Sequence, residues 1–190
     1  MGVIHNNDKI YLLLYGPKGS GKSQLLYSQM STIKLFNPIE PTKGINYEEI
    51  KIQNKSIGIF EVPGDLMQNY LINVVTSNVD IKGIIYVIDI NDLKNANIQL
   101  KLLLSDKDLE ENMKLFVIYN LRAQDREKYS WINIENLDEI IGLKKIEKLY
   151  KLKYYSTIYD CSTINEEVRD EQSLEYKMSD YMNSLFAENQ

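Results

Sequence analysis

Residues 15–23 read YGPKGSGKS, directly behind the apolar run KIYLLL at 9–14. The segment Gly16-Pro17-Lys18-Gly19-Ser20-Gly21-Lys22-Ser23 fits the pattern G-x-x-x-x-G-K-[ST]. Glycines let successive backbone N–H groups turn inward around phosphate oxygens, and a helix that follows adds its positive end. In such a loop the lysine, here Lys22, spans the β- and γ-phosphates, and the Ser23 hydroxyl sits on Mg²⁺. A buried strand before it and the helical run SQLLYSQMSTI (23–33) after it separate a phosphate loop from a chance run of glycines. The expected ligand is a magnesium nucleotide held by Gly16, Lys18, Gly19, Ser20, Gly21, Lys22, Ser23 and the adjoining Gln24. The loop names neither the base nor the reaction.

The rest of the chain alternates short β-type runs with longer helical ones. KIYLLLY (9–15), GIIYVIDI (83–90), KLFVIYN (114–120) and KYYSTIY (153–159) read as strands, and YEEIKI and KSIGIFEV flank Asn54-Lys55 as a hairpin. Helices are expected around 95–104, over 134–149 and from about 165 to 187. In the last, Thr163 and Glu166 form a capping box, and Leu174, Met178, Tyr181 and Leu185 make one apolar face. Strands apolar on both sides, alternating with helices, indicate an α/β fold. Its sheet is mostly parallel and six-stranded, with helices on both faces and one antiparallel edge strand from the hairpin. With 190 residues and no repeat or linker, one domain is expected over 1–190, with 1–8 a short polar tail.

Composition removes several classes of function. The net charge of −5 argues against a nucleic-acid partner, which would call for a basic face. Cys161 is the lone cysteine, so no internal disulfide forms and a reducing, cytoplasmic setting is expected. No apolar run has transmembrane length, and the polar first ten residues do not form a signal peptide. Gly2 follows Met1, but Asn6 stands where an N-myristoylation motif has Ser or Thr, so an ordinary N-terminus is the expectation. His5 lies alone in the polar tail.

The stretch PTKGINYEE (41–49) resembles the first switch of the Arf and Arf-like small GTPases, Pro-Thr-x-Gly-x-Asn-x-Glu. GIIYVIDINDLKN looks like that family's fourth strand and its Asp-rich exit. LLLSDKDLEENMKLFVIYN is similar to its third helix and fifth strand, and EIIGLKKI to its Leu-Gly-Leu segment. The resemblance covers roughly 9–187 and implies a small GTPase fold with GTP as ligand, GDP and ATP being the alternatives, together with Mg²⁺. It implies that Thr42 closes over the γ-phosphate and joins Ser23 on the metal, and that Gly64 offers its N–H to the γ-phosphate. It places Asn120 and the loop Asp160-Cys161-Ser162 beside the guanine. A protein effector or larger assembly is the implied partner, met through the switches. A membrane surface, the cytoskeleton or a cilium are alternative locations to the cytoplasm.

Two motifs depart from the family. Where the second switch reads Asp-x-x-Gly-Gln, this chain has Glu61-Val62-Pro63-Gly64-Asp65. Glu61, one methylene longer, can still reach the metal's water shell. Asp65 cannot present a donor and an acceptor together, and its charge opposes the γ-phosphate, so hydrolysis is expected to be very slow and no catalytic residue is assigned. Where the base-reading motif is Asn-Lys-x-Asp, the chain has Asn120-Leu121-Arg122-Ala123. Two charge-assisted bonds to guanine, worth about 1.5–3 kcal/mol each, are lost with the aspartate. Leu121 is expected to cover the base with apolar atoms, and Asp125 is the candidate substitute reader. Two functions fit: a slow or non-cycling nucleotide-dependent interaction module, and a partner-activated GTPase switch in membrane or ciliary traffic. A P-loop nucleotide kinase ranks third, because Arg122, Arg126 and Arg169 are too few to clamp two nucleotides.

Overall fold

The computed structural model describes residues 9–30, 42–52, 55–68, 70–107, 109, 113–160 and 174–187. Six strands form one sheet: β1 (Lys9–Tyr15), β2 (Asn46–Ile52), β3 (Lys55–Glu61), β4 (Ile81–Asp89), β5 (Lys114–Leu121) and β6 (Lys153–Asp160). Their order is β2-β3-β1-β4-β5-β6. All neighbours run parallel except β2, which pairs antiparallel with β3 from Asn46↔Glu61 to Ile52↔Lys55. The expected hairpin and its antiparallel edge strand are present.

Period-2 alternation splits each central strand between two cores. Leu12 and Leu14 pack on one side of β1, Leu13 and Tyr15 on the other, all at most 1% exposed. One core is closed by α1 (Lys22–Leu25) with its π-helical continuation Leu26–Met30, and by α6 (Leu174–Ala187). The other is closed by α2 (Tyr70–Thr76), α3 (Leu93–Leu104), α4 (Ile134–Ile141) and α5 (Leu143–Tyr150). Helices therefore cover both faces, as two-sided apolar strands require. On α6, Tyr181 and Leu185 are buried, and Leu174 and Met178 pack against them as partly buried neighbours. The capping box at Thr163 and Glu166 lies outside the described residues, as does the end of the helical run after Met30.

Two local expectations change. The stretch 134–149 is two helices, because Gly142 takes a left-handed conformation (φ 76, ψ 35) between α4 and α5. Its N–H bonds to the carbonyls of Asp138 (2.8 Å) and Glu139 (3.0 Å), closing α4 as it re-aims the chain. Helix α2 was not foreseen, although Ile72 and Val75, three apart, bury one face of it. Among the described residues no helix is long and apolar enough to cross a membrane.

No atom lies within 4 Å of where a Cβ on Gly142 would sit, so only the backbone resists a side chain there. Gly142→Ala is expected to destabilise the fold by roughly 1–2 kcal/mol, the cost of left-handed geometry for an L-residue. The shift in a urea unfolding midpoint at unchanged slope measures it.

Candidate functional site

Because β1, β3, β4, β5 and β6 are parallel, their carboxyl ends share one edge of the sheet. The chain order reverses at β1, between β3 and β4, and such a switch point opens a crevice for a ligand. The loop 16–21 leaves β1 there. Gly16, Gly19 and Gly21 carry φ values of 147, 80 and 94, and the Ser20 N–H returns to the Pro17 carbonyl at 3.1 Å. Lys18 and Gly19 are exposed at the turn, Ser20 is buried, and Gln24 is exposed on α1. Lys22 is 6% exposed, and its Nζ donates to the carbonyls of Gly16 (2.8 Å) and Pro17 (3.0 Å). Burial pushes its pKa down to about 8, partly offset by the negative charge of Glu61.

The segment after β3 lies against this loop. The Lys18 N–H donates to the Gly64 carbonyl at 3.1 Å, and a Cβ on Gly64 would meet the Gly16 carbonyl oxygen at 2.1 Å and the Lys18 nitrogen at 2.5 Å. Only a glycine allows that approach. Asp65 accepts from the Met67 N–H at 3.0 Å, so its carboxylate caps the turn that begins the second switch.

Three oxygens converge where the loop, the segment at Thr42 and the end of β3 meet. Ser23 Oγ and Thr42 Oγ1 are 3.1 Å apart, Thr42 Oγ1 is 3.3 Å from Glu61 Oε1, and Ser23 donates to that same oxygen. Magnesium takes six oxygens at about 2.0–2.1 Å, which sets neighbouring ligands about 3 Å apart. The spacing and hard-oxygen chemistry of Ser23 and Thr42 fit two corners of such a shell, with the Glu61 carboxylate alongside. Glu61 is 1% exposed, and Asn46 Nδ2 reaches its second oxygen at 3.4 Å. Asn46 also donates to Tyr27 OH (2.7 Å), which in turn donates to Glu48 (3.1 Å). The Asn and Glu of the first-switch pattern thus tie the carboxylate to Tyr27 in the π-helical continuation of α1.

At the end of β5 the strand alternation decides which side chain faces the loop. Asn120 Nδ2 donates to the Ser20 carbonyl at 2.9 Å, whereas Leu121 is 8% exposed and packs in the core on the α2–α5 side. The expectation that Leu121 covers a base is therefore corrected. The next residue turns back instead: Arg122 Nη2 donates to the Gly19 carbonyl at 3.1 Å and pairs with Asp89. Asp125 accepts from Asn91 Nδ2 at 2.7 Å, and Asn91 also takes hydrogen bonds from Lys128 and Tyr129. Arg122 escaped the sequence reading because the motif pattern looks for a cation one position earlier. The signal lay in the continuous strand KLFVIYNL, whose successive residues face opposite cores. Cys161 and Ser162 lie outside the described residues.

The sequence profile of the ADP-ribosylation factor family (Arf) matches residues 2–178. The chain belongs to the ADP-ribosylation factor family. Among solved structures, the Arf-family chain is similar to the Arl6 (BBS3) small GTPase from Trypanosoma brucei, determined with the bound nucleotide analogue GppNp. The TM-score is 0.72 at 14% identity, over 94% of this chain and 98% of that one, which establishes the small GTPase fold. A search of curated protein sequences returned no match. In this Arf-family protein Glu61, Asp65 and Ala123 hold positions where the family motifs carry Asp, Gln and Asp.

Two measurements probe this geometry. Gly64→Ala is expected to lift the second switch from the phosphate loop. Loss of hydrogen-exchange protection at the Lys18 amide reports it; unchanged protection would contradict the contact. The depressed pKa of Lys22 gives the second. Anions bind its protonated form, so pyrophosphate affinity should fall as pH rises through about 8, by up to about tenfold per pH unit. Without ligand the sign is opposite: burial of charged Lys22 costs stability below about 8 and the cost fades above it. A flat pyrophosphate profile up to a unit beyond that value would contradict the assignment.

Proposed function

We propose that this protein holds a magnesium–guanine nucleotide at residues 16–24 and works as a slow or non-cycling module that presents its switches to a protein partner. The observation that carries the reading is the convergence of Ser23, Thr42 and Glu61 beside an intact phosphate loop. Ser23 and Thr42 would ligate Mg²⁺, and Glu61 would orient its shell. The metal, when bound, supplies charge neutralisation for the phosphates. Lys22 would turn from the loop carbonyls to the β- and γ-phosphates, and Asn120 and Gly64 would frame the two ends of the nucleotide.

Slow turnover follows from Asp65. A glutamine there would orient the attacking water, and even then intrinsic rates in small GTPases are on the order of 10⁻⁴ s⁻¹. The Asp65 carboxylate is engaged by the Met67 amide and repels the anion it would have to approach. A partner surface is supported by exposed apolar side chains beside both switches: Ile45 and Tyr47 near the first, and Leu66, Met67, Tyr70 and Val74 in the second. Met67 is 89% exposed, and solvated apolar groups in such number are characteristic of recognition surfaces.

A single-turnover assay with γ-labelled GTP tests this. The expected result is no loss of label over hours, with acceleration in Asp65→Gln. Hydrolysis within minutes without a partner would show a self-sufficient switch. Release of a fluorescent guanine nucleotide within minutes would count against a retained ligand and favour the partner-activated cycle.

A further inference from the structure

We propose that Arg122 forms the platform on which the base of the bound nucleotide lies, and that it reads a flat purine ring and not the edge of guanine. The inference rests on the nucleotide-binding reading above and specifies its base end.

The geometry comes from three sides. Strand alternation sends Leu121 into the core, so the first side chain after Asn120 that turns toward the phosphate loop is Arg122. One nitrogen of its guanidinium is held by two acceptors, the Gly19 carbonyl at 3.1 Å and the Asp89 carboxylate. Asp89 is itself fixed, since its other oxygen accepts from Asn91 N (2.9 Å) and Asn91 Nδ2 (3.1 Å). A planar cation clamped this way has little rotamer freedom left to lose when a ligand arrives.

Among the described residues its surroundings leave it partly open. The Arg122 side chain keeps 43% of its exposure although paired, and no atom lies within 4 Å of a Cβ position on Gly19. On the neighbouring side Asn120 is 7% exposed, and its Oδ1 has no hydrogen-bond partner among the described residues, as is also true of Ser20 Oγ. Buried polar atoms rarely stay unmatched, so these two point to a ligand or water there. Asp125, the candidate edge reader, is bonded to Asn91 at 2.7 Å, and Ala123 carries no acceptor on its side chain. Among the described residues, what remains for a base is a cationic plane. Guanidinium planes stack on aromatic faces, and stacking is nearly indifferent to exocyclic substituents.

The test is a competition assay on the full chain with a labelled guanosine triphosphate displaced by GTP, ATP and inorganic tripolyphosphate. Arg122→Ala is expected to weaken GTP and ATP alike, by about tenfold, and to leave tripolyphosphate within about twofold. Arg122→Lys keeps the charge and the bond to Asp89 but lacks the plane, so it should lose nearly as much as Arg122→Ala. Equal weakening of tripolyphosphate would overturn the proposal by making Arg122 a tie that shapes the phosphate loop. Full recovery in Arg122→Lys, a loss confined to GTP, or no loss would overturn it as well. If the wild-type protein binds tripolyphosphate but neither nucleotide, the platform fails while the phosphate site stands. If it binds none of the three, the nucleotide reading fails with it.

Discussion

Burial of β1 on both faces is the constraint on which the other features depend. Leu12, Leu13 and Leu14 are fully enclosed, with β3 on one edge and β4 on the other. A strand so enclosed has no side left for solvent, and its register is pinned by hydrogen bonds to two parallel neighbours. The loop it projects at Gly16 therefore emerges at a fixed place, between the ends of β3 and β4. Among the described residues, the Gly64 segment meets the loop from the end of β3 and Asn120 and Arg122 meet it from the end of β5, with Asp89 at the end of β4 holding Arg122.

Under the proposed nucleotide-binding reading, the site has two halves with different physics. The phosphate and metal half is built from backbone amides, one buried lysine and one buried carboxylate, with Ser23 and Thr42 between. Charge complementarity to a polyphosphate and a divalent ion would govern it. The half proposed for the base is built from side chains at strand ends, Asn120 and Arg122, with Asn91 tying Asp89 to Asp125, Lys128 and Tyr129. The departures from the family fall differently on the two. Glu61 is accommodated in the first half, because Asn46 and Tyr27 hold the longer side chain in place. In the second half the loss of an acidic reader is joined by a shift of the cation by one position.

The fold was legible because its signals are local and periodic. Apolar strands, the turn chemistry of the loop and the alternation of elements recover the sheet and both helical layers, and strand limits agree within two residues at most ends. Legibility failed where a single residue's conformation or direction decides. Gly142 lies inside an apolar periodicity that continues on both sides of it, so the pattern of 134–149 hides the break. Leu121 was assigned by analogy with a motif position, but the alternation through Tyr119 and Asn120 sends it to the opposite face. The roles of Asn46 and Arg122 depend on contacts with Glu61 and Gly19, residues far away in the chain, which no periodicity encodes.

The position of β2 at the rim of the sheet has a consequence for self-association. Among the described residues no strand pairs with its outer side, since the sheet is open and not a barrel. An open rim of this kind is a template onto which another extended chain can register. The strand's composition opposes that: Glu48, Glu49 and Lys51 place three charges within its seven residues, and Glu49 is further occupied by Lys9 and Ser56. A second molecule laid against it antiparallel would bring like charges together near the strand centre and desolvate them. Those charges oppose strand-to-strand pairing at the rim nearest the first switch, where Tyr47 is exposed.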